Sequence, residues 1–534
     1  MSKVRHPLLL VFVLSAICLL PTMAMRDFSP DNELRYLSIA DEAISEGNVF
    51  AFTLNGVPYA DKPPLYLWIV MLSRLIFGKH SMFFLSLFSL IPAFVTIGVM
   101  DSWMGRKEPL ERIALAFMMM TSVLFLGLSV FLRMDMLMCM FIVLALFTFY
   151  RMYEGEGNRK RQEIMLPVWI FLALFTKGPV GVMMPPLVII VFLLVRRKGR
   201  EIGSYLGWKT WGILAALCAV WFTGVYLDGG KDYLNNLLFH QTVGRAVNSF
   251  HHKNPFWYYF GTVWYVTAPW CILLAGSVAA SLAARGKDRS DKEIFFSVSV
   301  VSTTLMLSCF SAKLAIYFTP VMPFMVMLFA EVLARTGWKK WMTWGLTAVW
   351  GILVLALVAA LAAMVFAREY APVALALASF SFITDHLVLF GIVTMTLGLV
   401  LAIVQLWCGK PDMAIVTGAA AILLMGYSAS SSMPRINDWI GYGNVCATVP
   451  EGKDVTTIFV RRSVNMKVYL GREVTDYEKD LDKFKKEVME PCLRGERHLV
   501  VITAEDKLSK DEDFEDFILE ANHWHVGPWC VASF

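Results

Sequence analysis

Charged residues are scarce in this sequence: Asp, Glu, Lys and Arg make up only 17% of its 534 residues. Hydrophobic residues make up 57%, which is too apolar for a soluble globular protein. The nine cysteines include no Cys-x-x-Cys pair and no other spacing typical of a metal site. We also find no internal repeat and no low-complexity segment, so repeat architectures are excluded.

What the sequence has in abundance is long apolar runs. Runs of about 18 residues or more recur between Pro7 and Ser431, and each is long enough to cross a bilayer. Lys and Arg cluster in the short loops between the runs, which is the positive-inside pattern of membrane proteins. The net charge of +5 reflects these loops, so no nucleic-acid partner is expected. The sequence predicts an all-α polytopic membrane protein whose main partner is the bilayer.

Threading the runs through the bilayer gives about 13 transmembrane helices. The first is 7–25, which we interpret as an uncleaved span and not as a signal peptide, because many spans follow. Residues 26–80 form an outer loop containing a helix over 33–45, ended by Gly47, and a juxtamembrane helix over 63–77. The basic loops lie on the opposite, cytoplasmic side. The transmembrane domain spans 1–432.

The tail, residues 433–534, differs abruptly in composition and emerges on the outer side. Strands are predicted over 456–460 and 498–503, with a charged helix over 477–490. This is a small α/β domain. If its compartment is oxidising, one disulfide is expected among Cys446, Cys492 and Cys530, and the sequence does not say which pair forms it.

The residues able to do chemistry all fall on this outer side, at the face opposite the basic loops. They are Asp31, Glu33, Asp61, Lys62, Asp135, Lys177, His240, Arg245, Lys313 and Tyr317. One face of the protein is therefore predicted to anchor it, and the other to carry the reaction.

Asp135 lies at the outer mouth of a span, where a carboxylate is costly unless it pairs or faces water. A plain surface pair with Arg133 is the alternative. Lys177 lies at a Gly-Pro helix break, which favours a shaped pocket over a snorkelling lysine. Lys313 and Tyr317 are one helical turn apart, so an amine and a phenol on one face suit a phosphate or a sugar.

The first outer loop holds Asp31, Glu33, Asp61 and Lys62, with two prolines fixing the backbone after Lys62. A solvated loop is the alternative interpretation of these charges. His240 with nearby carboxylates suits a divalent metal, and an ordinary hydrogen-bonding role is the alternative.

Several cations, two or three carboxylates and a histidine thus converge at a membrane surface. Cations suit a phosphate leaving group, and a carboxylate suits deprotonation of a nucleophile or metal binding. The membrane position suits a lipid substrate. Transfer from a lipid-linked phosphate donor fits all three, whereas a transporter usually shows paired repeats and sites at the midplane. A non-catalytic sensor or scaffold would leave the charges unexplained.

The motifs resemble the aminoarabinose transferases of lipid A, which belong with the protein-mannosyltransferase-like, GT-C superfamily of polyprenyl-phosphate-sugar-dependent glycosyltransferases. The matching segments run in order from about residue 27 to 331. They are Asp31-Asn-Glu-Leu-Arg-Tyr36, Asn55-Gly-Val-Pro-Tyr-Ala-Asp-Lys-Pro-Pro64, Leu132-Arg-Met-Asp135, Phe175-Thr-Lys-Gly-Pro-Val-Gly181, His240 to Arg245, Pro255-Phe-Trp-Tyr-Tyr259 and Lys313 to Pro320.

The resemblance implies a GT-C fold in the bacterial inner membrane, with a periplasmic active site and a periplasmic C-terminal domain. It implies an undecaprenyl-phosphate-linked sugar donor, inversion at the anomeric carbon, and lipid A or another envelope glycan as acceptor. A protein O-glycosyltransferase is the alternative.

By motif, Asp31 looks like the catalytic aspartate, and Asp135 like the family's second carboxylate. Lys177, Arg245 and Tyr317 look like donor-phosphate ligands, and we expect Lys62 and Lys313 to bind substrate as well. Asp61 and His240 look like ligands of a divalent metal, Zn²⁺ or Mg²⁺/Mn²⁺, with Asp61 standing where the family usually has Glu. The first motif is one residue longer here than in the family, so either Asp31 or Glu33 occupies the catalytic position.

Overall fold

The computed structural model describes residues 6–105, 108–238, 253–284 and 288–534. Within them, nine helices are long and apolar enough to cross a membrane, or ten if a bent pair counts as one span. The nine are Pro7–Met25, Met82–Met104, Asp135–Tyr153, Trp208–Leu238, Asp291–Cys309, Ala315–Thr336, Lys340–Phe366, His386–Trp407 and Pro411–Ile440. The all-α, multi-pass membrane architecture is therefore confirmed.

The other predicted spans coincide with helices that are shorter, bent or more charged. They are the bent pair Pro109–Met120 and Val123–Val130, then Arg159–Lys177, Pro179–Val195 and Cys271–Ala283. Each of the thirteen predicted spans thus matches a helical segment. In the described ranges, five further α-helices lie between these spans: Glu33–Glu46, Pro64–Phe77, Ile202–Tyr205, Tyr258–Val266 and Ala371–Ser379.

The bent pair turns by 71°, and hydrogen bonds outside the regular helical pattern form at the break. Thr121 and Ser122 donate their hydroxyls to carbonyls one turn back, at 2.6 and 2.8 Å. The amide of Val123 donates to the Ala268 carbonyl at 2.9 Å. In a bilayer a helix can break only where such partners replace the lost backbone bonds.

The outer loop folds as the sequence predicts. The helix Glu33–Glu46 ends at Gly47, whose φ of 75° is the left-handed conformation that glycine adopts readily. A short hairpin follows, in which β1 (Thr53–Leu54) pairs with β2 (Val57–Pro58) around an Asn55-Gly56 turn. The juxtamembrane helix is Pro64–Phe77.

The tail is an α/β domain with a five-stranded sheet in the order β4-β3-β5-β7-β6. The strands are β3 (Asp454–Ile458), β4 (Val474–Asp476), β5 (Leu499–Ala504), β6 (Asn522–Val526) and β7 (Trp529–Ser533). β3 is parallel to β4 and β5, and β7 is antiparallel to β5 and β6. The last span continues helically to Ile440, so the predicted boundary at 432/433 falls within that helical run.

The predicted charged helix over 477–490 is displaced by about four residues. The helical run begins at Leu481, because the Asp480 side chain accepts a hydrogen bond from the Lys483 amide at 3.0 Å and caps it there. The run then continues as Lys485–Met489 and Glu490–Leu493. Short helices Gly443–Ala447 and Lys467–Leu470 and the helix Glu512–Glu520 complete the domain.

The predicted disulfide does not form. All nine cysteines lie in the described ranges, and all are free thiols. Cys446 packs on the sheet face turned toward the outer loop, whereas Cys530 and Cys492 pack on the other face, so the sheet separates Cys446 from both. Burial raises the pKa of the Cys446 thiol to about 12, which disfavours the thiolate that oxidation requires.

The tail docks directly on the outer loop through one sheet face. Val500, Ile502 and Val531 share a hydrophobic cluster with Leu34 and Leu37 of the first-loop helix. Asp27 adds polar contacts to this docking, because its carboxylate accepts hydrogen bonds from the Gly443 amide, at 2.6 Å, and from the Tyr469 hydroxyl. A Cβ at position 441 would stand 2.0 Å from the Asp27 carboxylate, so glycine is required there.

Candidate functional site

Two helix ends carrying opposite charges meet at the outer face of the membrane domain. Asp135 is the first residue of the helix Asp135–Tyr153, and Lys177 is the last residue of Arg159–Lys177. An acid at a helix N-terminus and a base at a C-terminus are each favoured by the helix dipole. The two helices pack side by side, and Lys177 donates a hydrogen bond to Asp135.

Asp135 is almost fully buried, with 1% of its side chain exposed. Its second oxygen lies 3.2 Å from Nε of Arg133, so one carboxylate is shared by two cations. The predicted surface pair with Arg133 therefore exists, but as part of a buried triad. Three charged groups in one buried triad leave an excess of one positive charge.

Tyr317 and Lys62 border this triad. Nζ of Lys177 lies 4.6 Å from the centroid of the Tyr317 ring, at cation–π distance. Lys62 bonds Asp61 at 2.9 Å, and the Tyr59 hydroxyl donates to the same Asp61 oxygen at 3.0 Å. Burial and the charge of Asp61 raise the pKa of Tyr59 well above its usual value, so Tyr59 stays a neutral donor.

The two candidate acids of the first loop have very different surroundings. Glu33 is buried and accepts four hydrogen bonds: two from Arg26, at 2.7 and 2.8 Å, and one each from the amides of Ser29 and Leu132. Asp31 keeps 39% of its side chain exposed and lies 3.2 Å from Nε of Arg461. Glu33 thus ties three segments together, whereas Asp31 faces the boundary with the tail.

Lys313 does not share a helical face with Tyr317. It precedes the 3-10 helix Ala315–Val321, and its ammonium group donates to the carbonyls of Asn254 and Phe310 at 2.9 and 2.5 Å. Only 3% of Lys313 is exposed. Lys313 therefore joins two loops by hydrogen bonds. Tyr317 instead contacts Lys177.

His240 and Arg245 lie outside the described residues. Among the residues that are described, no group of three His, Cys, Asp or Glu side chains is arranged to hold a metal ion. The predicted metal site therefore depends on Asp61 and on His240, which lies beyond these ranges. One oxygen of Asp61 already accepts two hydrogen bonds.

Sequence reasoning assigned no role to Arg35, Arg461 or Arg462. Cζ of Arg35 lies 5.8 Å from the centroid of the Tyr59 ring, beside the Asp61 pair. Arg461 and Arg462 both lie near Asp31, with Nε–Oδ1 distances of 3.2 and 3.8 Å. For Arg461 and Arg462, the only local indication of a functional role was their position as two consecutive arginines directly after the predicted strand 456–460.

An apolar groove of about 790 Å³ runs along the helices Pro179–Val195 and Asp291–Cys309. One end, at Met183 and Phe310, is within six residues of Lys177 and three of Lys313. From Met183 to Val195 the helix rises about 18 Å, which is more than half the thickness of a bilayer core. The remaining lining is mainly aliphatic, including Leu187, Val191, Val298 and Val301.

The chain was compared with known families and proteins. The family model described as dolichyl-phosphate-mannose-protein mannosyltransferase matches residues 61–223. An undecaprenyl phosphate-alpha-4-amino-4-deoxy-L-arabinose arabinosyl transferase of Shewanella sediminis is 24% identical over 338 residues, covering 62% of this chain and 60% of that protein. The protein of the same name from Pectobacterium carotovorum is 26% identical over 342 residues, covering 62% and 59%.

The chain thus spans about three fifths of the length of these relatives. In solved structures, the ArnT of Cupriavidus metallidurans bound to undecaprenyl phosphate superimposes with a TM-score of 0.71. That match has 15% identity and covers 99% of this chain and 98% of the other. The apo structure of the same protein matches equally well. The fold is therefore the ArnT-like GT-C fold, and the resemblance indicated by the motifs is confirmed.

Proposed function

We propose that this chain, an aminoarabinose-transferase-like protein by sequence and fold, is a glycosyltransferase of the bacterial inner membrane. It moves a sugar from an undecaprenyl-phosphate-linked donor to lipid A or another envelope glycan. The observation that carries the proposal is the placement of the Arg133–Asp135–Lys177 triad near the end of the apolar groove.

The groove suits the polyprenyl chain of the donor, since burying each methylene is worth about 0.8 kcal/mol. Lys177 and Lys62 would then meet the donor phosphate where the chain ends. Both ammonium groups are already held by carboxylates, which fixes their positions before the donor arrives. Such preorganised cations stabilise a phosphate leaving group as its charge develops. The ring face of Tyr317 lies against Lys177 in the same region.

In the proposed reaction an acceptor oxygen attacks the anomeric carbon from the side opposite the donor phosphate. The bond between that carbon and the phosphate oxygen breaks as the new glycosidic bond forms, so the configuration inverts. A hydroxyl acceptor must lose its proton to a carboxylate, whereas a phosphate acceptor is already ionised. Asp31 is the carboxylate better placed to accept this proton as a general base, because Glu33 is buried and already accepts four hydrogen bonds.

A divalent metal remains part of the proposal only through Asp61 and His240. Bound there, it would supply Lewis-acid stabilisation of an oxyanion. Among the described residues Asp61 is committed to Tyr59 and Lys62, so no step above relies on the metal. Dialysis against EDTA, with add-back of Zn²⁺ or Mn²⁺, measures whether transfer depends on it.

The test of the function uses purified protein, an undecaprenyl-phosphate-linked aminopentose and lipid A. Mass spectrometry should detect one added glycosyl mass on lipid A and free undecaprenyl phosphate in equal amounts. Envelope lipids from cells with and without the gene should differ by the same mass. Glycosylated protein with unmodified lipid would favour the protein O-glycosyltransferase alternative. Donor movement between vesicle leaflets without any product would favour a transporter.

A further inference from the structure

A second cavity, of about 750 Å³, lies between the outer loop and the tail domain. Its floor includes Arg35, Leu54 and Asn55 of the outer loop, and its wall is formed by residues 459–462, 464–465, 476 and 478–479 of the tail. Its volume is that of a site for a sugar-sized or larger ligand, not for a single ion. It therefore differs from the apolar groove in position and in chemistry.

The cavity is lined by four cationic side chains and two acidic ones. The cations are Arg35, Arg461, Arg462 and Lys479. One of the two acids, Asp476, already accepts the Glu478 amide at 2.8 Å. Burial and the nearby charge of Arg35 lower the pKa of Arg462, which shows that like charges are held close together there. Nε of Arg35 has no hydrogen-bond partner among the described residues. Guanidinium groups crowded in this way suit a phosphate-bearing ligand.

The backbone around this cavity is strained. Five non-glycine residues of the described chain have positive φ, and four of them line the cavity: Asn55, Phe459, Arg462 and Glu478, at 53°, 60°, 54° and 50°. Non-glycine residues rarely adopt this left-handed backbone conformation, and such strain is concentrated at binding sites. Contacts within the cavity wall hold it, as when the Phe459 amide donates to the Glu478 carbonyl at 2.7 Å.

The cavity adjoins the proposed active site on two sides. Arg35 lines it and also lies 5.8 Å from the Tyr59 ring, whose hydroxyl bonds Asp61. Arg461 and Arg462 line it and also hold Asp31. A ligand bound by Arg461 and Arg462 would therefore lie beside Asp31.

We propose that this cavity is the acceptor site and that it binds the phosphate-bearing head group of a glycolipid through Arg35, Arg461 and Arg462. This inference rests on the proposed function and extends it, since it gives the tail domain a direct part in choosing the acceptor. A protein acceptor would need a groove for an extended chain; the crowded guanidinium groups favour the phosphorylated glycolipid.

Binding by the full-length protein in nanodiscs tests the proposal without requiring turnover. The probes are lipid A, lipid A stripped of its phosphates, and inorganic phosphate. The R461A/R462A variant should bind lipid A at least 10-fold more weakly than the wild type. Dephosphorylated lipid A should bind the wild type at least 10-fold more weakly than lipid A itself. Unchanged binding in either comparison, or inorganic phosphate binding as tightly as lipid A, would overturn the assignment.

Undecaprenyl phosphate is the control ligand, and its affinity should stay within two-fold in every variant. Arg494→Ala is the matched control variant: it removes an exposed arginine of the same domain, paired with Glu490 and away from the cavity.

If R461A/R462A fails to fold, Arg461→Gln replaces it, because Arg461 is 74% exposed and contributes little to folding. Arg461→Gln should weaken lipid A binding at least three-fold, and unchanged binding would count against the site. A wild type that binds lipid A but not undecaprenyl phosphate would refute the proposed function, and only the binding of lipid A in the cavity would stand.

Discussion

Arg26 and Glu33 form a buried, two-point ion pair in which the guanidinium nitrogens lie 2.7 and 2.8 Å from the carboxylate oxygens. Both side chains are almost fully buried, with 3% and 2% exposed. The pair joins the end of the first span to the start of the first-loop helix, and the Leu132 amide attaches a third segment to it. Glu33 thus has a structural role that the sequence motif alone did not distinguish from catalysis.

Glu33→Gln should therefore destabilise the protein, whereas Asp31→Asn should inactivate it. Removing one partner of a buried pair leaves the other charge unpaired and costs about 3–5 kcal/mol. A partly exposed pair such as Asp31–Arg461 contributes about 0–1 kcal/mol. Thermal unfolding in detergent and transfer assays on both variants measure the difference. A stable Glu33→Gln protein without activity would instead make Glu33 the catalytic carboxylate.

Lys177→Met should reduce transfer by about 10–1000-fold, since it removes a charge-assisted contact to the leaving phosphate. The double variant D135N/K177M separates this role from simple neutralisation of Asp135, because it also removes the buried carboxylate. We expect the double variant to recover stability but not turnover. Lys209→Met is the control, since Lys209 is exposed and pairs with Glu163. Near-normal turnover in the double variant would mean that Lys177 only balances Asp135.

Docking of the tail on the outer loop should weaken in acid. Lys467 bonds Glu42 at 2.8 Å and Asn55 at 2.9 Å. Burial alone would raise the pKa of Glu42, but hydrogen bonds from Lys467 and from the amides of Asn55 and Gly56 lower it overall. Because the folded pKa is the lower one, this contact stabilises docking above the ordinary glutamate pKa of about 4.3 and is lost as pH falls through the folded value.

Limited proteolysis of the tail between about pH 3 and pH 7 measures this docking, with protease-stable conditions checked at each pH. Wild-type protein should become more susceptible in the acidic part of that range, and this change with pH should be smaller in Glu42→Gln, because Asp27 and Asp31 still contact the tail in that variant. Since the pair is partly exposed, the effect should be about 1 kcal/mol or less. A wild-type profile that does not change with pH would rule out this contribution.

Reporter fusions should locate the two faces of the membrane domain. Fusions at Glu156 and Arg289 are expected to be cytoplasmic, because both residues lie within basic loops. Fusions at Asn55 and Glu473 are expected to be periplasmic, because both residues lie on the side opposite the basic loops. Since Lys467 of the tail contacts Asn55 directly, opposite results at Asn55 and Glu473 would contradict this packing.

The sequence by itself determined the elements whose causes are local. Apolar runs fixed the helices, and Gly47 ended the first-loop helix. Short runs of β-branched and apolar residues placed β3 and β5 to within about two residues. The motifs shared with the aminoarabinose transferases also predicted the fold. They selected the charged residues of the first loop, together with Asp135 and Lys177, as candidate site residues. Each of these follows from a short stretch of chain, whose backbone preferences and hydrophobic period are written in neighbouring residues.

Only the tertiary structure decided which of these residues meet. Lys177 reaches Asp135 across 42 positions, and Arg462 reaches Asp31 across 431. It also separated Glu33 from Asp31 and turned Lys313 away from Tyr317. Such contacts depend on how helices and sheet faces pack, which no local pattern encodes. The charges alone could not show whether a carboxylate would be buried and saturated or left facing a cavity, because burial is set by the whole fold.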